Sequence, residues 1–160
     1  MIEVIMEEIK IKIIAENRKA HHDYNVLETY ETGIELQGTE VKSLRAGKAN
    51  LKDSYVRVTR MGEMVVMGLH ISPYEFGNIN NHDPLRTRRL LMHRKEIDKI
   101  FGKIKTRGFA LIPLKLYFKH GLVKMQIALA TGKKDYDKRR DMAERDAKRE
   151  MDRAMKERNR

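Results

Sequence analysis

The sequence contains no cysteine, and this absence excludes several classes of protein. Without thiols the chain has no disulfide framework, no thiolate metal site and no cysteine nucleophile, and it suits a reducing compartment. No apolar run approaches the roughly 20 residues that span a bilayer. The first residues, MIEVIMEEIKIKII, carry glutamates where a secretory signal needs positive charge. We therefore expect a cytoplasmic protein.

Positive charge is what the chain has in excess. Its 160 residues include 34 Lys and Arg against 23 Asp and Glu, a formal net charge of +11. Such a surplus favours a polyanionic partner, with nucleic acid first and an anionic membrane second. Because no lipid-facing apolar stripe accompanies the basic residues, the membrane alternative loses its support.

The last 28 residues differ in composition from the rest. Residues 133–160 hold 12 Lys or Arg and 8 Asp or Glu, and they lack Ile, Leu, Val and Phe. Such a segment buries too little to offset its ordering entropy, and its i,i+4 ion pairs add only about 0.2–0.5 kcal/mol each. We expect one domain over 1–132 and a tail over 133–160 that becomes helical on a partner. A solubilising tail is the alternative.

The body before Gly132 is predicted to be mainly β. Residues 115–119 and 123–129 alternate apolar and polar side chains on either side of a His-Gly turn, as in a hairpin. Pro113 lacks an N–H group and should lie at a bulge or an edge. Further strands are expected over residues 25–37, 55–60 and 64–71.

Three helices are expected among these strands. Thr39 is a suitable N-cap for a helix over 40–46, a short helix is expected over 17–23, and a longer one over 94–106. The apolar face of the longer helix, which should point to the core, consists of Ile97, Ile100, Phe101 and Ile104. Few helices among many short strands predict a closed antiparallel barrel of the OB type with about six strands, or a sandwich.

Enzyme motifs are missing from the sequence. It contains no P-loop, nucleophile elbow, HExxH or dinucleotide fingerprint. His21 and His22 would diverge by about 100° on a helix and lack a third ligand at suitable spacing, so we expect no metal and no cofactor. One enzyme hypothesis stays open, a ribonuclease with His70 or His82 as general base.

Two polar stretches have the composition of an RNA-binding surface. Residues 16–24 combine basic groups for phosphates, an amide for a base edge, and rings for stacking; the alternative is a polar helix over a barrel mouth. Arg86, Arg88 and Arg89 follow an Asn-rich loop, and clustered guanidinium groups suit phosphate contacts. A solvated hairpin tip is the alternative there.

Two further features have both a binding and a structural interpretation. Glu31 lies on a predicted strand, where it either accepts a hydrogen bond from a base amino group or pairs with a nearby lysine. Residues 132–140 interleave Tyr136 with basic side chains, which suits base stacking and phosphate contact.

Several long strings of the sequence are similar to the SmpB family, the SsrA-binding proteins of bacterial trans-translation. The resemblance covers about residues 10–145 and rests on ENRKAHHDY, LETYETGIELQGTEVKSLRAGKANLKDSYV, HISPYEFGNINNHDPLRTRRLLMHRKEI, PLKLYFK and IALATGKKDYDKRR. It implies an OB-like barrel of six strands with three helices. It also implies a non-enzymatic protein that binds the tRNA-like domain of tmRNA; a generic OB-fold RNA-binding protein or RNA chaperone is the alternative.

The resemblance further implies a setting for the tail. The protein would enter stalled ribosomes together with alanyl-tmRNA and elongation factor Tu. Its tail would then fold as a helix in the empty mRNA channel, against small-subunit ribosomal RNA. We expect a monomer.

The resemblance also assigns residues. The implied tmRNA-binding positions are Asn17, Lys19, His22, Tyr24, Glu31 and Leu91, with basic support from Arg18, Lys124, Lys133 and Lys134. The implied decoding-centre positions are Tyr136, Asp137, Lys138 and Arg139. The residue pattern alone would place Leu91 in the core, whereas the resemblance makes it an RNA-facing contact. Thr131 stands where the family usually has lysine, and Met6 is an alternative start.

Overall fold

The structure, a computed structural model, describes residues 10–77 and 81–159. The strands in those two ranges are β1 (Ile11–Glu16), β2 (Tyr24–Ile34), β3 (Ala49–Asn50), β4 (Tyr55–Val58), β5 (Met64–Met67), β6 (His70–Ile71), β7 (Arg88–Leu91), β8 (Ala110–Lys119) and β9 (Leu122–Gly132). The helices there are α1 (Arg18–Asp23), α2 (Gly38–Arg45), α3 (Arg94–Arg107) and α4 (Asp135–Arg158). The alternative start at Met6 and the Asn-rich loop at 78–80 lie outside the described residues.

Most of the described strands belong to one antiparallel sheet in the order β1-β8-β4-β5-β7-β2-β9. Because β8 also pairs with β9, six strands close into a ring, and β1 lies outside it against β8. Each strand of the ring contributes buried apolar side chains to one core, among them Ile34, Val56, Met64, Leu90, Leu116 and Ile127. The predicted mainly β fold is confirmed, while its assignment to the OB class stays a prediction.

The β8–β9 hairpin forms where the alternation predicts it. His120 and Gly121 both adopt positive φ, 51° and 74°, as a two-residue turn that matches strand twist requires. The register shifts between Pro113 and Lys115, so the proline lies at a bulge, as predicted from its missing N–H group. The hairpin places alternate residues of both strands on the outer face of the ring.

Other strands differ from the prediction. The segment predicted as one strand over 64–71 is broken at Gly68, where φ is 74° and an added Cβ would lie 2.9 Å from the Asp53 carbonyl oxygen. β5 therefore ends at Met67, and β6 pairs with β3 in a separate two-stranded sheet. β2 ends at Ile34, three residues earlier than predicted. Pairing partners, which local sequence does not specify, decide these boundaries.

Two helix predictions need correction. α2 begins at Gly38 with Gln37, not Thr39, at the N-cap, because the Glu40 carboxylate reaches back to accept the Gln37 backbone N–H at 2.9 Å. In α3, Ile97 and Ile100 are buried as predicted, but Phe101 is 44% exposed. The isoleucine stripe already covers the core-facing side of this helix, so Phe101 remains at its edge.

The tail is a helix in the structure. α4 runs without interruption for 24 residues, whereas the composition predicted a segment that is helical only on a partner. Ion pairs at its start, from Lys133 to Asp141 and from Lys138 to Asp23, attach its first turns to α1. These contacts add to the weak helix-internal pairs on which the prediction was based. The division of the chain into 1–132 and 133–160 stays a prediction.

Candidate nucleic-acid interface

The outer face of the ring presents an exposed leucine beside basic side chains. Strand register places Leu91 of β7 opposite Gly33 of β2, Gly33 opposite Lys124 of β9, and Lys124 opposite Tyr117 of β8. Leu91 is 47% exposed, so the core position that the residue pattern alone would give it is wrong, and its RNA-facing role stays a prediction. A Cβ on Gly33 would come within 3.2 Å of the Leu91 Cβ. The glycine therefore lets this leucine lie flat on the sheet.

Glu31 lies on the same face and is held by two neighbours. It accepts a hydrogen bond from the Tyr117 hydroxyl at 2.5 Å and from the Lys119 ammonium group at 3.2 Å. The Tyr117 hydroxyl, with help from Lys119 and Lys124, lowers the pKa of Glu31, while burial and Glu31 raise the pKa of Tyr117. The carboxylate is therefore ionised at neutral pH and remains partly exposed. The lysine pair anticipated for Glu31 is present, and its RNA-reading role stays a prediction.

We call Glu31, Leu91 and Lys124, with Tyr117 and Lys119, the sheet face. It combines an apolar contact, a fixed hydrogen-bond acceptor and two cations. Net positive charge alone would bind phosphates without regard to their setting. The combination of apolar contact, acceptor and cations suits recognition of a shaped RNA surface.

Asn17 is a buried cap rather than an exposed base reader. Its Oδ1 accepts from the Ala20 N–H at 3.2 Å, its Nδ2 donates to the Pro113 carbonyl at 3.0 Å, and its backbone N–H donates to Leu114 at 2.8 Å. The side chain thus starts α1 and ties it to β8. Its visible function is to orient the residues that follow.

Those residues form a second group at the other end of β2. Arg18 is exposed, and Lys19 pairs with Asp53 at 3.5 Å. His22 and Tyr24 are half-buried. Tyr24 lines a groove of about 360 Å³ together with Tyr55, which the sequence prediction missed as a site residue.

Lys133 is occupied by contacts within the protein. Its ammonium group donates to the His21 carbonyl at 3.0 Å and to Asp141 at 2.5 Å, and its side chain is only 7% exposed. Lys133 lowers the pKa of Asp141. Its backbone N–H also donates to the Asp23 carbonyl at 2.8 Å. The residue therefore joins α1 to the base of α4, while the neighbouring Lys134 is exposed.

The predicted decoding-centre residues follow on the first turn of α4. Tyr136 is 63% exposed and Arg139 is exposed. Asp137 and Lys138 are half-buried, and Lys138 pairs with Asp23 of α1 at 3.5 Å. The structure thus presents a ring and a guanidinium group to solvent and keeps their neighbours against the body.

The phosphate-binding role predicted for the arginine cluster is wrong for Arg86 and Arg88. Arg88 is fully buried and hydrogen-bonded to Glu40, and Arg86 also donates to Glu40, at 2.5 Å. Arg89 is exposed but pairs with Glu35 at 2.9 Å. A buried carboxylate that neutralises arginines 46 and 48 residues away was not visible in the local pattern.

The histidines do not gather into a site. His82, a candidate general base, is buried, with its ring 2.9 Å from the Ile71 carbonyl and 3.4 Å from the Thr39 hydroxyl. Within the described ranges, no three His, Cys, Asp or Glu residues are placed to hold a metal. Among those same residues, no helix is both long and apolar enough to cross a membrane.

The predicted positions therefore fall into two groups rather than one. The sheet face lies toward the end of β2 that pairs with β7. The α1 and tail residues lie where Tyr24 pairs with Gly132 at the opposite end. Tyr117 and Lys119, which hold Glu31, were missed as site residues, although their alternation in β8 could have revealed the shared face.

The chain is similar to known proteins along almost its whole length. A family model described as "SmpB protein" matches residues 14–157. The SsrA-binding protein of Desulforamulus reducens is 65% identical over 148 residues, covering 92% of this chain and 91% of the relative. The SsrA-binding protein of Bacillus subtilis is 58% identical over 146 residues, covering 91% and 93%.

A solved structure shares the fold. One chain of the structure described as "tmRNA-SmpB: a journey to the center of the bacterial ribosome" matches with a TM-score of 0.63 and 50% identity, covering 76% of this chain and 85% of that one. Sequence and fold therefore agree: this chain belongs to the SmpB family.

Proposed function

We propose that this chain binds the tRNA-like domain of tmRNA, the SsrA RNA, and delivers it to stalled ribosomes for trans-translation. The observation that carries the proposal is the 65% identity over 148 residues to a protein named for SsrA binding. The protein acts in the cytoplasm, as a monomer, alongside elongation factor Tu carrying alanyl-tmRNA. It works by binding, with no catalytic step of its own.

The sheet face is proposed as the surface for the tRNA-like domain. Leu91 packs on an exposed sugar or base, Glu31 accepts from a base amino group, and Lys124 contacts a phosphate. Because Tyr117 and Lys119 already hold the Glu31 carboxylate, it meets the RNA in a fixed orientation with little entropy left to lose.

The α1 end is proposed to extend this contact. Arg18, Lys19 and Lys134 bind phosphates, and His22 and Tyr24 contact unstacked bases. Asn17 acts by fixing the start of α1. Lys133 acts by fixing the tail, so its replacement would disturb RNA binding and tail placement together.

The tail is proposed to probe the empty mRNA channel. Tyr136 and Arg139 are exposed for stacking and phosphate contact in the decoding centre, with Asp137 and Lys138 as their support. They stand near the start of α4, whose 24 residues form a charged rod about 36 Å long. The phosphates that line the mRNA channel attract the Lys and Arg side chains of α4 once mRNA no longer fills the channel.

The experiment separates the two surfaces in the full-length protein. The double variant Tyr136→Ala/Arg139→Ala should retain affinity for tRNA-like-domain RNA but lose peptide tagging on stalled ribosomes. Truncation after Gly132 should also abolish tagging, and it should largely preserve RNA binding with some loss of affinity, because it removes Lys133 and Lys134 as well. Normal tagging by both variants would show that the tail has no decoding role.

The alternative of a generic OB-fold RNA-binding protein predicts a different competition result. Labelled tRNA-like-domain RNA should stay bound against an excess of unstructured RNA of equal length, whereas a generic binder would release it. A ribonuclease would instead cleave the RNA during long incubation.

A further inference from the structure

Strand β1 has the reverse of the usual alternation of apolar and polar side chains. Register places Lys12 opposite Phe118, a residue that packs against the core. Ile11 and Ile13 therefore project from the outer face, where they are 53% and 48% exposed. A strand that served stability alone would turn its isoleucines toward the core and its lysine toward solvent.

Protection of a sheet edge does not account for this arrangement. The ring of six strands closes without β1. β1 pairs with residues 115–119 of β8, while β4 pairs with β8 at Leu111, so β1 covers an edge that would otherwise be open. Backbone hydrogen bonds are sufficient for that purpose, whichever side chains project outward. The exposed isoleucines therefore indicate a contact with a partner.

Register extends the outer face of β1 into the sheet face. One row of residues crosses five strands, β1, β8, β9, β2 and β7, and each member lies directly opposite the next: Ile13, Tyr117, Lys124, Gly33 and Leu91. Lys124 stands in the middle of this row. Ile13 and Leu91 stand two strands away on either side of it, about 10 Å at the usual strand spacing.

A second, shorter row lies beside the first. Ile11 is opposite Lys119, and Lys119 is opposite Leu122, which is 61% exposed. The same Lys119 donates to the Glu31 carboxylate at 3.2 Å. We call Ile11, Ile13 and Leu122 the β1 patch. Its three apolar side chains thus lie on the same face as the groups that hold Glu31.

The arrangement of charge favours RNA as the occupant of the β1 patch. Within the described residues, Lys124 has no ion-pair partner. An apolar protein surface laid across the row would desolvate that cation without supplying a counterion. A phosphate at Lys124 would neutralise it, and a phosphate in a nucleotide chain has a nucleotide on each side. Sugars and base faces are the apolar parts of such a chain, and Leu91 and Ile13 stand where the two neighbouring nucleotides would lie.

We propose that β1 is part of the surface for the tRNA-like domain, and that the β1 patch packs on the nucleotide that follows the Lys124-bound phosphate on the side away from Leu91. The inference rests on the proposed function and deepens it by adding three contact residues. Because these residues carry no charge, they help to distinguish a folded RNA surface from phosphates alone.

The test removes apolar groups without a change of charge. The double variant Ile11→Thr/Ile13→Thr keeps two β-branched side chains that favour a strand. The matched control is Leu85→Thr, because Leu85 is 57% exposed in the turn before β7 and lies outside both rows. Affinity of each full-length protein for tRNA-like-domain RNA is measured by filter binding at several salt concentrations.

The double variant should bind tRNA-like-domain RNA roughly 5- to 50-fold more weakly, because two half-exposed isoleucines no longer bury apolar surface against it. The slope of log affinity against log salt should be unchanged, since no cation is lost. Leu85→Thr should bind as wild type. A smaller slope for the double variant would show that cation contacts were disturbed, and would overturn the assignment of an apolar contact.

A purely structural role for the isoleucines predicts a different result. The Tm of the double variant should stay close to that of the wild type, because both side chains are already half exposed. A large fall in Tm, with faster hydrogen exchange in residues 115–119, would show that the isoleucines hold β1 on β8 and would overturn the inference.

Two other outcomes also contradict the inference. Self-association of wild type in analytical ultracentrifugation, lost in the double variant, would assign the β1 patch to a second copy of the chain. Unchanged RNA affinity of the double variant would remove β1 from the surface but leave the proposed function intact. Failure of wild type to prefer tRNA-like-domain RNA over unstructured RNA would instead refute the proposed function itself.

Discussion

Replacing Glu40 by glutamine should destabilise the protein more than replacement of any exposed acid. Glu40 is fully buried on α2, and it binds Arg88, which is also fully buried, and Arg86. Glutamine would leave the Arg88 charge in the core without a counterion. Breaking a buried pair from one side costs about 3–5 kcal/mol, which for a chain of this size lowers Tm by roughly 6–20 °C.

Glu35→Gln is the matched control. Glu35 pairs with Arg89, which follows Arg88 on β7, but both side chains of this pair are about half exposed. Loss of this ion pair should therefore cost about 0–1 kcal/mol. Urea unfolding followed by circular dichroism measures both variants under the same conditions. A cost below about 1 kcal/mol for Glu40→Gln, or one equal to that of Glu35→Gln, would refute the argument that burial sets the magnitude.

The same ion pair predicts a pH dependence. Burial raises the pKa of Glu40, but the Gln37 N–H and the two guanidinium groups outweigh it and lower the pKa overall. The folded-state pKa is thus below the unfolded value of about 4.3. The stabilisation is therefore complete above that value and is lost as pH falls through the folded-state pKa. The difference in free energy of unfolding between wild type and Glu40→Gln should therefore become smaller as the solution is made acidic.

Three further outcomes are expected. Glu31→Ala should weaken binding of tRNA-like-domain RNA although it raises the net charge from +11 to +12, and tighter binding in a filter assay would show that bulk charge governs affinity. Leu91→Asp should weaken the same binding at least 10-fold with little change in Tm, because the side chain is already half exposed; a large fall in Tm would mean that it packs in the core. Asp141→Asn should detach the base of α4, seen as faster hydrogen exchange between residues 135 and 145 with unchanged exchange in β8 and β9, and equal protection would exclude the Lys133 contact as the anchor.

Local pattern was sufficient for elements whose signals are contained within a few residues. The β8–β9 hairpin, its His120-Gly121 turn and the Pro113 bulge follow from alternation and from backbone limits of single residues. α1 and α3 likewise follow from a cap and a helical apolar spacing. The break at Gly68 was missed because it depends on close approach to Asp53, a neighbour in space.

The candidate site was harder to predict, because its residues act through distant partners. Arg88 has the sequence signature of a phosphate contact, yet Glu40, 48 residues earlier, neutralises it inside the core. Lys133 has the same signature and is turned inward by His21 and Asp141. Leu91 shows the opposite case. Its apolar side chain suggests a core position, but its place on the strand, beside a glycine, leaves it on the outer face.

The sequence by itself determined the charge, the β-rich body, the charged tail and the family resemblance, because composition, periodicity and long matching strings are carried along the chain. Tertiary structure alone decided which cations remain available to a partner. Ion pairing depends on distances across strands and helices that no local pattern encodes. Arg86, Arg88 and Lys133 form ion pairs within the protein, whereas Lys134 and Arg139 remain exposed to a partner.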